Sequence, residues 1–317
     1  MTDLHARYRE AMDDEVWSFI ERTYAFYPQD AVERSIEEQR ALYDRLAEHF
    51  NSDYPPGISA RNETLSLDEL RIPVRYYARV RSHHAASTGS PAATLIYYHG
   101  GGFVLGGLES HDSVCAELCM ASGFEVVSVD YRLCPEHPHP APFDDALAAF
   151  RTIAGAAMRP IVLGGDSAGA NLAAAVAQAT KHDDVTAVAQ VLIYPGLGGD
   201  MTRGSYVEHA NAPLLSTADI EYYHHALRGD GPTAAPLRAR NFSGLPPTAV
   251  FSAKIDPLRD DGRDYVDALT AAGVHAVWHC EDGLPHGYLR ARHVSQRASA
   301  SFDRICAAVR KKGVGGE

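Results

Sequence analysis

The sequence predicts an α/β fold: a mostly parallel sheet covered by helices on both faces, with a helical cap. Three observations predict it. From residue 93 onward short apolar runs alternate with helix-like segments, and such alternation means crossover connections between parallel strands. The runs at 93–98 (ATLIYY) and 161–163 are apolar without a break, as strands buried on both faces are. One long irregular stretch, between Pro195 and Pro247, interrupts the alternation, and insertions of that length in compact domains are usually lids or binding loops.

The elements follow in order. Up to about Phe50 the chain reads as helical: Ile36, Leu42, Tyr43, Leu46 and Phe50 recur among charges, and Ser35 with Glu38 fits a capping box. This section is read as a helical pair packed on a larger body, with a cap over a site as the sharper alternative. Pro55-Pro56-Gly57 closes it as a loop. Residues 64–67 and 72–80 read as strands paired antiparallel at a sheet edge, and 82–92 as a polar loop. The strand at 93–98 runs straight into His99-Gly100-Gly101-Gly102-Phe103. Helices are expected at 111–121, 143–157, 172–179, 261–272 and 290–310. Strands are expected at 124–129, 161–163, 188–194, 248–253 and 274–279. Inside the insertion, Ser216-Thr217-Ala218-Asp219 is an N-cap pattern that starts one helix, and the insertion is read as part of a cap.

Composition bounds the function. Hydrophobic content of 45% and charged content of 22% are those of an ordinary globule, and 317 residues suffice for one large core. The net charge of −12 argues against nucleic acid or an anionic membrane as the main partner. No apolar run reaches the ~18 residues of a membrane span. The charged start, MTDLHARYREAMDDE, is unlike a signal peptide. Five cysteines without CxxC spacing read as reduced thiols in a cytoplasmic protein. Cys115 and Cys119, four apart, read as one buried helix face rather than a metal site.

The chemistry centres on Gly165-x-Ser167-x-Gly169, between an apolar strand and a run of helix formers. That is the pattern of a nucleophile elbow, with the serine on a strained turn at a helix N-terminus. The glycine run upstream matches the HGGG-type oxyanion element. Gly101 and Gly102 N–H, with Ala168 N–H, would bind a tetrahedral oxyanion. A serine needs a base. Among 16 histidines His286 stands apart, in a loop between a strand and the last helix, where α/β sites assemble. His275 and His279 share a strand face and are expected to pack or meet solvent. The base needs an orienting carboxylate, and Asp256 sits just past a strand that Pro257 stops. Asp260 and Asp261 are assigned to capping the next helix, and Asp166 to bonding within its own turn. The order Ser167…Asp256…His286 is the one this arrangement requires. Phe103, Leu105, Tyr194, Leu214 and Leu215 are candidates to line the substrate pocket, with core packing as the other reading of each. The chemistry needs no metal and no cofactor.

HGGGF at His99, GDSAG at Gly165, DPLRDDG at Asp256 and HGY at His286 together resemble the hormone-sensitive-lipase-like branch (family IV) of α/β-hydrolase esterases. YRLCPEHPHPAPFDDA from Tyr131 is similar to a further stretch of that family. GGLESHD from Gly106 and FNSDYPPG from Phe50 resemble its bacterial acetyl esterases. Cys134 and Tyr288 depart from the commoner residues there, away from the chemistry. The resemblance implies an α/β-hydrolase fold as a single domain over 1–317, with a cap formed by 1–55 and 196–245. It implies a serine carboxylesterase acting on small-molecule esters with short acyl chains, acetyl to about hexanoyl. Rival readings on the same fold are a ligand- or protein-binding regulatory member, though His286 is present, and an amidase or acyltransferase using the same triad. A dehalogenase or epoxide hydrolase would need a carboxylate at position 167. The last strand and final helix are the surfaces expected for a homodimer.

Overall fold

The computed structural model describes residues 6–67, 69–80 and 91–313 of the chain. Its strands are β1 (Ile58–Leu67), β2 (Leu70–Arg79), β3 (Thr94–Tyr98), β4 (Glu125–Val129), β5 (Ile161–Asp166), β6 (Ala189–Ile193), β7 (Thr248–Ile255) and β8 (Ala276–Pro285). They form one sheet in the order β1-β2-β4-β3-β5-β6-β7-β8. The pairs β1–β2 and β2–β4 are antiparallel, and the remaining pairs are parallel. The edge hairpin and the parallel centre are thus as the sequence predicts.

The helices are α1 (Ala6–Arg9), α2 (Asp14–Phe26), α3 (Ile36–Phe50), α4 (Asp112–Ser122), α5 (Ala141–Ala156), α6 (Ala168–Thr180), α7 (Ser205–Glu208), α8 (Thr217–Leu227), α9 (Arg259–Ala271) and α10 (Gln296–Gly313). Side chains alternate across a strand, so an unbroken apolar run must bury both faces. In β3, Leu95 and Tyr97 join the core that holds Val114 and Leu118 of α4 and Ile305 of α10. Ile96 and Tyr98 join the opposite core, with Phe150 of α5 and Leu172 of α6. Burying a Leu or Ile side chain contributes roughly 1.5–3 kcal/mol relative to leaving it exposed. Among the described residues, no helix is long and apolar enough to cross a membrane.

Polar signals set several helix starts. Asp13 accepts from Val16 N at 2.9 Å ahead of α2. Ser35 and Glu38 form the predicted capping box of α3, and Ser216 with Asp219 forms another at α8. Each such cap is worth about 1 kcal/mol. α2 and α3 meet the insertion directly: Leu214 N donates to Tyr24 Oη at 2.9 Å, and Gln39 Nε2 to Tyr222 Oη at 2.8 Å. Arg40 of α3 reaches down to Val104 O at 3.0 Å and Cys134 O at 2.9 Å.

Several boundaries differ from expectation, β1 starting at Ile58 rather than 64 among them. Gly164 and Gly165 belong to β5, pairing with Val191 and Leu192, and α6 starts at Ala168, so the turn is Ser167 alone. β8 runs on to Pro285, because it keeps its partner β7 through a register shift between Ala253 and Ile255. The last helix is two pieces, a 3₁₀ turn at Tyr288–His293 and then α10. The predicted polar loop at 82–92 lies, but for Pro91 and Ala92, outside the described residues.

Candidate active site

Ser167 follows the last residue of β5, Asp256 the last residue of β7, and His286 the last residue of β8. His99 likewise follows β3. Parallel strands carry their carboxyl ends to one rim, so four distant parts of the chain converge there.

Ser167 sits at φ 53°, ψ −118°, a conformation L-residues rarely adopt. The turn is held by Ser167 N donating to Ile193 O at 2.9 Å. It also crosses the end of β3 closely. A Cβ at Gly169 would overlap the Tyr98 carbonyl oxygen, so only glycine fits there. Ser167 stays partly exposed, while Asp256 is fully buried.

One hydrogen-bonded chain joins the three side chains. Ser167 Oγ lies 3.0 Å from His286 Nε2, and His286 Nδ1 lies 2.7 Å from Asp256 Oδ2. Asp256 Oδ1 accepts from Leu258 N at 2.8 Å. Because the carboxylate can only accept, Nδ1 carries the imidazole proton and Nε2 is left to accept from the serine. Tyr194 packs against the imidazole with ring centres 4.7 Å apart.

The glycine run is clamped from below by Asp166. Its carboxylate accepts from Tyr97 Oη at 2.8 Å, Gly100 N at 2.9 Å, His111 Nε2 at 3.2 Å and Tyr194 Oη at 3.3 Å. Asp166 is therefore structural, as expected, but it bonds across to the glycine run rather than within its own turn. Burial alone would raise its pKa. The His111 ring, the Tyr97 hydroxyl and the charge of Arg290 outweigh that and hold it well below the usual carboxylate range. His99 stacks on Tyr131 at 4.3 Å, and burial pushes its pKa down to about 4, so it is neutral and donates from Nδ1 to Gly100 O at 2.9 Å. From above, the Tyr223 ring lies where a Cβ of Gly102 would stand.

A cavity of about 160 Å³ opens over Ser167 and His286. Gly101, Gly102 and Ala168 line it, as do all five predicted residues, Phe103, Leu105, Tyr194, Leu214 and Leu215. Phe103, Ser167, Tyr194 and Leu214 all have positive φ, so its walls concentrate backbone strain. The sequence reading missed Phe19 and Tyr27 of the α2 region, Tyr43 of α3, Tyr223 of α8, and His111 and Arg290. Their positions depend on how α2, α3 and α8 dock, and no local pattern encodes that. The strain at Leu214 had no signal either.

Asp260 and Asp261 do not cap α9, whose N-cap Leu258 makes no side-chain bond. They lie inside its first turn and hold the insertion instead. Asp260 accepts from Ser205 N at 3.0 Å. Asp261 accepts from Leu197 N at 2.7 Å and from Tyr206 Oη at 3.1 Å. His279 stacks on Phe251 at 4.6 Å, the packing role expected of it.

A family profile described as the α/β-hydrolase fold matches residues 95–290. The chain belongs to that family. Within it the chain lies in the hormone-sensitive-lipase-like esterase branch. This hydrolase is 40% identical to esterase LipI of Mycobacterium tuberculosis (strain ATCC 25618 / H37Rv), over 69% of this chain and 72% of the relative. It is 37% identical to carboxylesterase NlhH of the same organism, over 81% and 83%. Among solved structures, ester-hydrolase EH1AB1 from the metagenome of Lake Arreo, complexed with a derivative of bipyridine phosphonate, superposes with a TM-score of 0.84. That pair is 33% identical, with 95% of this chain and 98% of the other covered.

Proposed function

We propose that this carboxylic ester hydrolase cleaves small esters with short acyl chains, acetyl to about hexanoyl, through an acyl-enzyme on Ser167. The observation that carries the reading is the unbroken Ser167–His286–Asp256 hydrogen-bonded chain at the floor of a cavity. His286 Nε2 takes the Ser167 proton as Oγ attacks the ester carbonyl. The oxyanion forms facing Gly101, Gly102 and Ala168 N–H, the last being the first residue of α6, where the helix dipole adds positive potential. Removing one such donor costs about 2.7–4 kcal/mol of transition-state stabilisation. His286 then protonates the leaving alcohol, and water repeats the sequence on the acyl group. Asp256 fixes the imidazole tautomer throughout.

Short acyl chains fit because Leu214 and Leu215 of the insertion and Phe19 of α2 bound the small cavity. Residues 1–55 and 196–245 serve as the cap on this reading. The test is hydrolysis of a nitrophenyl ester series. Turnover is expected to peak between acetate and hexanoate, and Ser167→Ala is expected to lose about 10⁴-fold or more. A peak at long acyl chains overturns the chain-length reading, and an active Ser167→Ala protein overturns the mechanism.

A further inference from the structure

Among the described residues the inward-facing arginines are paired, with one exception. Arg75 meets Glu109 at 2.5 Å and Asp112 at 2.7 Å. Arg292 meets Glu117 at 2.7 Å and donates to Ser113 Oγ at 2.7 Å. Arg259 meets Glu208 at 2.7 Å and Asp260 at 2.9 Å. Arg290, between these in kind and only two residues from Arg292, has no such partner. Its Nη1 reaches Ser110 O at a long 3.4 Å, and its guanidinium lies over the Tyr43 ring at 4.6 Å. Its Nη2 is shut off from solvent and has no acceptor. Among the described residues it makes no ion pair. Against its burial, the Tyr43 hydroxyl, then Tyr194 and the Asp166 carboxylate favour its charge, but the two tyrosines are neutral and the Asp166 oxygens are taken by Tyr97, Gly100, His111 and Tyr194.

A withdrawn charge with unsatisfied N–H groups is unfavourable unless something answers it. Here the position is telling. Arg290 lines the same cavity as Ser167 and His286, and sits in the 3₁₀ turn that begins directly after His286 and Gly287. Arg290 N donates to Gly287 O at 3.3 Å, so one short rigid turn sets both the imidazole and the guanidinium.

We propose that Arg290 is a specificity residue that receives a carboxylate carried by the substrate. The substrates are then short esters that are also acids: half-esters of small dicarboxylic acids, or O-acylated hydroxy acids. The planar guanidinium matches a carboxylate in geometry and charge, and because Nη2 is closed to a water-sized atom, bidentate contact requires the side chain to turn slightly into the cavity. The net charge of −12 does not oppose this locally, because charges beyond about 8 Å are largely screened at physiological salt. The proposal rests on the ester hydrolase reading and narrows its substrate.

The experiment compares matched esters at neutral pH. Monomethyl succinate against dimethyl succinate places the carboxylate in the acyl half. Acetoxyacetate against its methyl ester, followed by acetate release, places it in the alcohol half. The wild type is expected to prefer the acid in one pair by about 10- to 100-fold in kcat/KM, mostly through KM, as a charged hydrogen bond allows. Arg290→Gln should bring that ratio close to one, and Arg290→Lys, which keeps the charge but not the fork, should retain part of it. A wild type that favours the neutral ester in both pairs overturns the proposal. So does an Arg290→Gln protein that slows acid and neutral ester by the same factor, which would mark a structural role. If Arg290→Gln does not fold, the wild-type ratios and Arg290→Lys still decide. Nitrophenyl acetate separates the two readings: turnover of it without any acid preference sinks this proposal alone, whereas no turnover of any ester sinks the hydrolase reading.

Discussion

The rim of the sheet and the layer above it are held by different means. At the rim, Ser167, Asp256 and His286 each follow directly on a strand and are joined by short hydrogen bonds, and a close approach that admits only glycine holds the Ser167 turn. The layer, α2, α3 and the insertion with α7 and α8, is held by apolar packing and a few polar tethers such as Tyr24–Leu214 and Gln39–Tyr222. The three carboxylates near the end of β7 divide between the two. Asp256 serves the rim, while Asp260 and Asp261 reach away to anchor Ser205, Leu197 and Gly199 of the layer. On the proposed mechanism the difference means that a rim residue acts on chemistry, and a layer residue on stability and access.

Replacing these residues one at a time sharpens or breaks that division. The largest effect is expected for Asp256→Asn, which should lower kcat by about 10⁴-fold with little change in melting temperature. Asp260→Asn should instead lower the melting temperature while costing less than about tenfold in rate, since it removes the carboxylate charge that pairs with Arg259 and Arg263 rather than the tautomer lock. The reverse ranking would move the orienting acid. Next comes Gly169→Ala, expected to destabilise the fold by about 3 kcal/mol in denaturant unfolding, because the first turn of α6 cannot move away from the end of β3. A neutral outcome would mean that this approach is soft.

The smallest effect concerns pH. Burial raises Asp261 to about 7, against hydrogen bonds from Leu197 N, Gly199 N and Tyr206 that favour its ionised form. Its folded pKa exceeds the unfolded value, so the native state binds the extra proton. The stabilisation is fully present near pH 4 and is lost as pH rises through about 7. Asp261→Asn should therefore flatten the fall in melting temperature between about pH 4 and 7. A variant with an unchanged slope would place that titration elsewhere.

Legibility in the sequence follows the same division. At the sheet centre β3 and the start of β5 are apolar runs flanked by proline and glycine, and the chain order of the motifs that follow the strands leads to Ser167, Asp256 and His286. The oxyanion candidates Gly101 and Gly102 were legible because a triple glycine after a buried strand has few uses. Tyr27, Tyr43, Tyr223 and Arg290 were not. Each lies on a helix or turn whose facing residues are chosen by docking, and a tyrosine in a charged helix looks the same whether it covers a cavity or a core. Asp260 and Asp261 misled for a related reason. Acidic residues at a helix start look like caps, and only the packed insertion reveals that they face Ser205, Leu197 and Gly199.

The positive-φ residues Phe103, Ser167, Tyr194 and Leu214 come from four separate segments yet ring one cavity. Glycine would relax the angle at any of them, by roughly 1–3 kcal/mol of strain, but it would forfeit about 2–5 kcal/mol of buried side chain at Phe103 or Tyr194, so selection for endurance in heat keeps the strained residues in place. Each such replacement would also strip a wall from the chamber. In this molecule hardiness and the shape of the chamber draw on the same few strained side chains.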